Sequence, residues 1–527
     1  GNLAISNGAV RGISNAAALG APTSVILAGG NLELANNTAL NFAEALLVSN
    51  NATITSDRLT AGAGVTHTNN TLSIGAQTLT IAAGSNVTSG AGGVQFSGTT
   101  TLRASGAVFS VDTNAQLTLG AVSGNTFGFT VGGAGNTTIG GVIGTTTGTV
   151  SKTGAGTLTL GNAANTYGGV TTIGGGVLVA GTLANAGTSS SIGTNATVVI
   201  TNGGKLHYTG ASTNINRGIN LAAGNGEIGV SSNAAALTIS GAISNTGTLV
   251  KSGAGTLILT ASNNYQGGTL LNAGTLAAGN AFAFGSGSVT LTNGTTLNLS
   301  NFSIANTLIN NGGTLTNVGT VSGAQLNAGT TTLSASNSTV AEVSGTATVD
   351  VSGANTTITN MTGGTVNIAA TSTNSALQTV SGGTINASTN ITVATYNGGN
   401  ISNSSAVTIN SGNSAGSISG AGNLVKAGSG TLALGNSANT YGGTTTIGGG
   451  VLSVGTLANA GANSSIGTNV TIIITNGGAL NYSGATVSID RGISLAAGNG
   501  GIGVSSNAAA LTIGGVISNT GSLVKSG

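Results

Sequence analysis

The sequence predicts an all-β fold, a parallel β-helix (β-solenoid) of short strands wound as a single continuous rod. Three observations lead there. Apolar and polar residues alternate over short runs, as in Thr157–Leu160 (TLTL), Ser288–Leu291 (SVTL), Thr295–Leu299 (TTLNL) and Thr365–Ile368 (TVNI), and a period of two turns one side of a strand inward and the other outward. Clusters of Gly, Asn and Ser interrupt these runs and supply the positive φ angles that tight corners need. The chain also repeats itself, with insertions of odd length, while large core residues are few. A solenoid needs only a thin core, because each coil borrows the apolar side of its neighbours; a sandwich or barrel is less suited to such sparse filling. Asn and Thr at corners can stack into ladders between coils. With roughly 20–25 residues per coil and about 4.8 Å per coil, the chain would form about 21–26 coils and a rod on the order of 100–125 Å. Residues Asn41–Val48 (NFAEALLV) carry the best helical pattern, and they still read as strand.

Composition removes most other classes. The 527 residues include 94 Gly, 1 Pro and no Cys or Trp, and only 3% are charged, against about 25% in ordinary soluble domains. Asn, Thr, Ser and Gly must therefore form the wet surface. Disorder requires low hydrophobicity and high net charge, whereas the apolar fraction is 39% and the formal charge +2. Collagen requires Gly at every third position, and the spacing here is irregular. No apolar run approaches the length of a membrane helix, and six Tyr with eight Phe cannot build the aromatic girdles of a membrane barrel. Ten Lys and Arg against eight Asp and Glu give no basic patch for nucleic acid. The lack of Cys removes disulfide and thiol chemistry and suits a chain exported unfolded through an oxidising compartment.

Residues 150–253 and 424–527 align without gaps at an offset of 274, with 78 of 104 positions identical. Tyr167 falls on Tyr441, Arg217 on Arg491 and Lys251 on Lys525. A shorter motif recurs three times within this framework: KTGAGTLTLGNAANTYGG from Lys152, KSGAGTLILTASNNYQGG from Lys251 and KAGSGTLALGNSANTYGG from Lys426. These boundaries divide the chain into a first module at 1–149, a second at 150–423 and a truncated third at 424–527. Gly1–Ala4 (GNLA) matches Gly274–Ala277 (GTLA), and Lys525-Ser526-Gly527 stops where Lys251-Ser252-Gly253 continues. The chain thus reads as part of a longer array, with any export signal or anchor outside it.

The motif K-x-G-x-G-T-L-x-L…N-x-Y-x-G-G…G-x-L resembles the autotransporter-associated β-strand repeat of bacterial surface proteins. The stretches Gly20–Leu34 and Gly285–Leu299 resemble its trailing half, whereas 35–140 and 300–420 share composition without the motif. The resemblance implies a right-handed parallel β-helix, secreted and displayed on the bacterial cell surface, for adhesion, display or secretion. The membrane-inserting barrel of that family has no counterpart in the sequence.

Chemistry-bearing residues are sparse. The carboxylates Glu33, Glu44, Asp57, Asp112, Glu227, Glu342, Asp350 and Asp490 are scattered, and the imidazoles are His67 and His207. Between the internal copies Glu227 becomes Gly501, His207 becomes Asn481 and Lys205 becomes Ala479, so no active site repeats with the module. Neither a catalytic, cofactor nor metal site is expected, and the calcium nonapeptide is absent. The repeated ionisable residues read as structural: Lys152, Lys251, Lys426 and Lys525 before a strand, and Arg217 and Arg491 before Gly-Ile, covering corners or bonding backbone carbonyls. A periodic basic contact for an anionic glycan is the competing reading. Tyr167, Tyr265 and Tyr441 are expected to pack their rings at corners with wet hydroxyls.

The function expected is a non-catalytic structural or adhesive segment: a rigid spacer, a display stalk or a self-assembling fibre. Self-association end to end or laterally and contact with host or environmental glycans are the partners foreseen, with neither nucleic acid nor membrane insertion. A glycan- or ice-binding solenoid using Thr/Asn arrays is the alternative. Its sign is a regular T-x-T ladder on every coil, which the sequence does not display across its length.

Overall fold

A computed structural model describes residues Gly1–Gly527 and contains no helix; its strands pair in parallel and stack as a β-solenoid of about 25 turns in all. The chain forms two compact units, Gly1–Gly287 and Ser288–Gly527, so the copies at 150–253 and 424–527 lie in different units. Asn41–Val48 is not helical: Ala43 takes a positive φ of 54° and Leu46–Val48 is a strand.

In the first unit, strands succeed one another one coil further on, in register. Thr157–Leu160 pairs with Val177–Ala180, and that strand with Lys205–Tyr208, which pairs in turn with Asn225–Val230. The register places Leu158, Leu178, Leu206 and Ile228 above one another, each fully buried. Full burial of such a side chain is worth about 1.5–3 kcal/mol, and no coil achieves it without its neighbours. Two aromatic pairs thicken this core: Phe109 meets Phe129 edge-on at 5.9 Å, and Phe42 meets His67 at 5.8 Å. His67 is enclosed; its Nδ1 accepts from the Leu40 amide, which leaves Nε2 to donate to the Asp57 carbonyl at 3.2 Å. Burial lowers its pKa, so it is a neutral core residue.

The second unit stacks its core in the same way through Leu297, Leu315, Thr331, Val349, Val366 and Ile385. Its corners show how asparagine replaces glycine. Asn337, Asn355 and Asn374 hold φ of 61°, 55° and 56°, a conformation that Asn tolerates because its short amide bonds locally. Here the amides bond to each other: Asn355 donates to Asn337 at 3.1 Å and Asn374 to Asn355 at 3.2 Å.

Candidate functional site

The three motif copies fold into the same corner. Each lysine itself occupies an inward strand position, and its ammonium turns back onto carbonyls of its own corner and of the next coil. Lys251 donates to Ser252 at 2.7 Å, Gly253 at 2.8 Å and Ala273 at 2.9 Å. Lys152 bonds Thr153, Gly154 and Gly175, and Lys426 bonds Ala427, Gly428 and Gly449. Gly154, Gly253 and Gly428 sit at φ near +70°, which aims their carbonyls at the ammonium. All three lysines are buried, and burial lowers the pKa of Lys152 and Lys251 to about 8. Lys525 lies in the last strand and is exposed.

The asparagine of N-x-Y, unremarked in the sequence reading, ties three coils together. Asn165 Oδ1 accepts from the Ile143 amide one coil before at 2.8 Å, and its Nδ2 donates to the Ser191 carbonyl one coil after at 2.9 Å. Asn439 repeats this with Ile418 and Ser465, both at 2.8 Å, and Asn263 with Ile243 and Ala283. Its presence in all three copies was the signal. The tyrosines two residues on depart from expectation, because their hydroxyls are dry. Tyr167, Tyr265 and Tyr441 are enclosed, and each hydroxyl bonds the threonine four residues later: Thr171 at 2.9 Å, Thr269 at 2.5 Å and Thr445 at 2.8 Å. The following coil covers the ring, so the hydroxyl needs a protein partner, and burial pushes its pKa up.

Arg217 is likewise closed off from solvent. Its guanidinium donates to the carbonyls of Ala184 at 2.6 Å, Asn185 at 3.2 Å, Thr188 at 2.9 Å and Gly193 at 2.8 Å, and to that of Asn195. It staples the corner loop between Thr182 and Asn195 onto the stack. Arg491 repeats the cage on Ala458, Asn459, Ala462, Gly467 and Asn469. The buried repeated cations, Lys152, Lys251, Lys426, Arg217 and Arg491, are thus consumed by the backbone.

Two outward features remain. In the first unit Lys205 and His207 stand opposite Glu227 on the next coil, with Lys205 Nζ 3.2 Å and His207 Nε2 2.9 Å from its carboxylate. Ser252, one coil further, donates to Oε1, the oxygen that His207 meets, at 2.5 Å. The His207 hydrogen bond foremost, then Ser252 and Lys205, outweigh burial and hold the Glu227 pKa at about 2. Serine and imidazole both meet the carboxylate rather than each other, so Glu227 is an anion held by three side chains. Lys205, His207 and Glu227 differ in the other copy, and the unit's first coils hold an analogous group in which Arg11 spans Glu33 at 2.9 Å and Asp57 at 3.6 Å.

The second unit carries a feature that the sequence hid. Thr296, Thr314, Thr330, Thr348, Thr365 and Thr384 share one outward register position on six successive coils. Two residues on, Thr332, Asp350, Asn367 and Asn386 form a parallel column. Steps of 16 to 19 residues between coils blur this ladder in the linear sequence. The first unit has a shorter counterpart, Thr118, Thr138 and Thr159, which ends at Val179.

Three segments, residues 150–180, 249–278 and 424–454, match the Passenger-associated-transport-repeat family. They coincide with the three lysine–asparagine–tyrosine corners. A stretch of 119 residues is 44% identical to the adhesin BmaC autotransporter of Brucella suis biovar 1 (strain 1330); it covers 22% of this chain and 4% of that protein. No solved structure matches. The chain carries autotransporter passenger repeats built into a β-solenoid, as the resemblance in its sequence implied.

Proposed function

We propose that this chain is a non-catalytic adhesive segment of a large protein on the bacterial cell surface, a stiff solenoid that holds its outward faces away from the cell. One observation carries the reading: the polar residues that repeat with the module, Lys, Asn, Tyr and Arg, point inward and close corners. Duplication of the module therefore multiplies coils rather than catalytic centres, and what is left for the environment is a long, nearly uncharged face of hydroxyls and amides. The likeness over part of its length to a protein named as an adhesin supports the same reading. Display of the chain on a bacterial host, with antibody labelling of intact cells and an attachment assay beside cells lacking the segment, tests it. Labelling together with segment-dependent attachment is expected. A segment reached only after permeabilisation, or attachment indifferent to its presence, sinks the proposal.

A further inference from the structure

We infer that the threonine ladder of the second unit, with the groove beside it, is a binding site for an extended neutral polysaccharide; this rests on the adhesive reading above. The site is flat by construction. Between its two columns lie Leu315, Val349, Val366 and Ile385, all buried, so that the outward residues stand on one parallel sheet. Neighbouring rungs are about 4.8 Å apart along the stack and the columns roughly 7 Å apart across it.

The hydroxyls of Thr296, Thr314, Thr330, Thr348, Thr365 and Thr384 have no hydrogen-bond partner in the protein and remain available as donors and acceptors. The second column is pre-aligned. Asn386 donates to Asn367 at 2.9 Å, and Asn367 to Asp350 Oδ1 at 2.7 Å. These bonds fix the amide planes and leave the other Asp350 oxygen unpaired. A groove of about 330 Å³ follows this column, bordered by Asp350, Asn367 and Asn386 together with the apolar Val351, Ile368 and Ala369.

Charge and shape select the ligand. From Ser288 to Val425 the chain has no Lys, Arg or His, and its charges are Glu342 and Asp350. Phosphates, nucleic acids and acidic glycans therefore find no counter-charge. A polymer of neutral sugars offers a donor–acceptor hydroxyl on every ring, and a ring in an extended β-linked chain advances by nearly the coil rise. Successive rings then meet successive rungs. One hydrogen bond nets only about 0.5–1.5 kcal/mol, so a single sugar binds weakly and affinity builds as linked rings engage several coils at once.

The test uses the full chain with insoluble cellulose and with soluble β-linked glucose oligomers of increasing length. Retention on cellulose is expected, with oligomer affinity rising steeply with length. The double variant Thr330→Lys/Thr365→Lys, on the outward face, should lower retention at least about tenfold, whereas Thr118→Lys/Thr159→Lys on the first unit should leave it unchanged. Circular dichroism of each variant verifies the strands. No retention, equal retention by the ladder variant, or shaping of ice crystals without sugar binding overturns the inference. Intact-cell labelling that persists beside any of these results leaves the surface reading standing and removes this one alone.

Discussion

Replacement of Arg217 by Met takes the donors out of a cage while keeping an apolar side chain of similar length in place. Five backbone carbonyls lose the arginine's donation. Gly193 still accepts from the Ser190 hydroxyl at 3.0 Å and Asn185 from the Thr188 amide at 3.0 Å. Thr188 is exposed and can turn to water, but the carbonyl of buried Asn195 is left without a donor. An unsatisfied buried polar group costs about 1–3 kcal/mol, which sets the loss. Solenoid coils couple mainly to their neighbours, and the damage should therefore stay in the loop and the coils touching it. The protein contains its own control, because Arg491 builds the same cage around residues 458–469. In hydrogen exchange read by mass spectrometry, peptides covering 182–196 of the variant should lose protection by about fivefold or more, while those covering 456–470 stay as in the parent. Equal protection of the two loops would refute the staple, since the carbonyls would then have found other partners at no cost.

Further outcomes follow from the same corners. Burial holds Lys152 and Lys251 at about 8 when folded against an ordinary 10.5, so between these values the unfolded chain binds more protons and stability rises with pH. The rise should end near pH 10, where tyrosines ionise in the unfolded chain but not in the fold, which raises their pKa; a urea midpoint that falls between pH 7.5 and 9.5 would contradict this. Asn439→Ala leaves the Ile418 amide and Ser465 carbonyl without a partner and should cost about 2–5 kcal/mol by denaturant unfolding, with faster exchange at both residues. Gly193→Ala should be much worse than Gly203→Ala: both have positive φ, but a methyl at Gly193 strikes the Tyr167 carbonyl and ring, whereas Gly203 faces open space. Thermal unfolding that ranks them equally would show that strain alone decides.

What the sequence made legible is what lies within one coil. The alternation of TLTL at Thr157–Leu160 and TVNI at Thr365–Ile368 is sufficient to assign strands, because period two is a local property. The K-x-G corner and the N-x-Y pair were visible as recurrences, although the depth at which they lie was not: a tyrosine drawn as wet becomes dry once the following coil is laid over it. Relations between coils escaped altogether. His207 meets Glu227, 20 residues on, and Thr348 stands beside Thr365 only because the intervening corners have particular lengths. A single inserted residue in a turn would move such partners apart, and no local pattern announces the register.

The asparagine bracket makes these corners depend on both of their neighbours at once. Oδ1 of Asn165 or Asn439 is taken up by an amide of the coil before it and Nδ2 by a carbonyl of the coil after it. From whichever end the stack grows, a newly closed coil therefore holds half of the bracket open until the next coil lands. Such a coil is fully satisfied only inside a stack, so the motif penalises an end and rewards continuation.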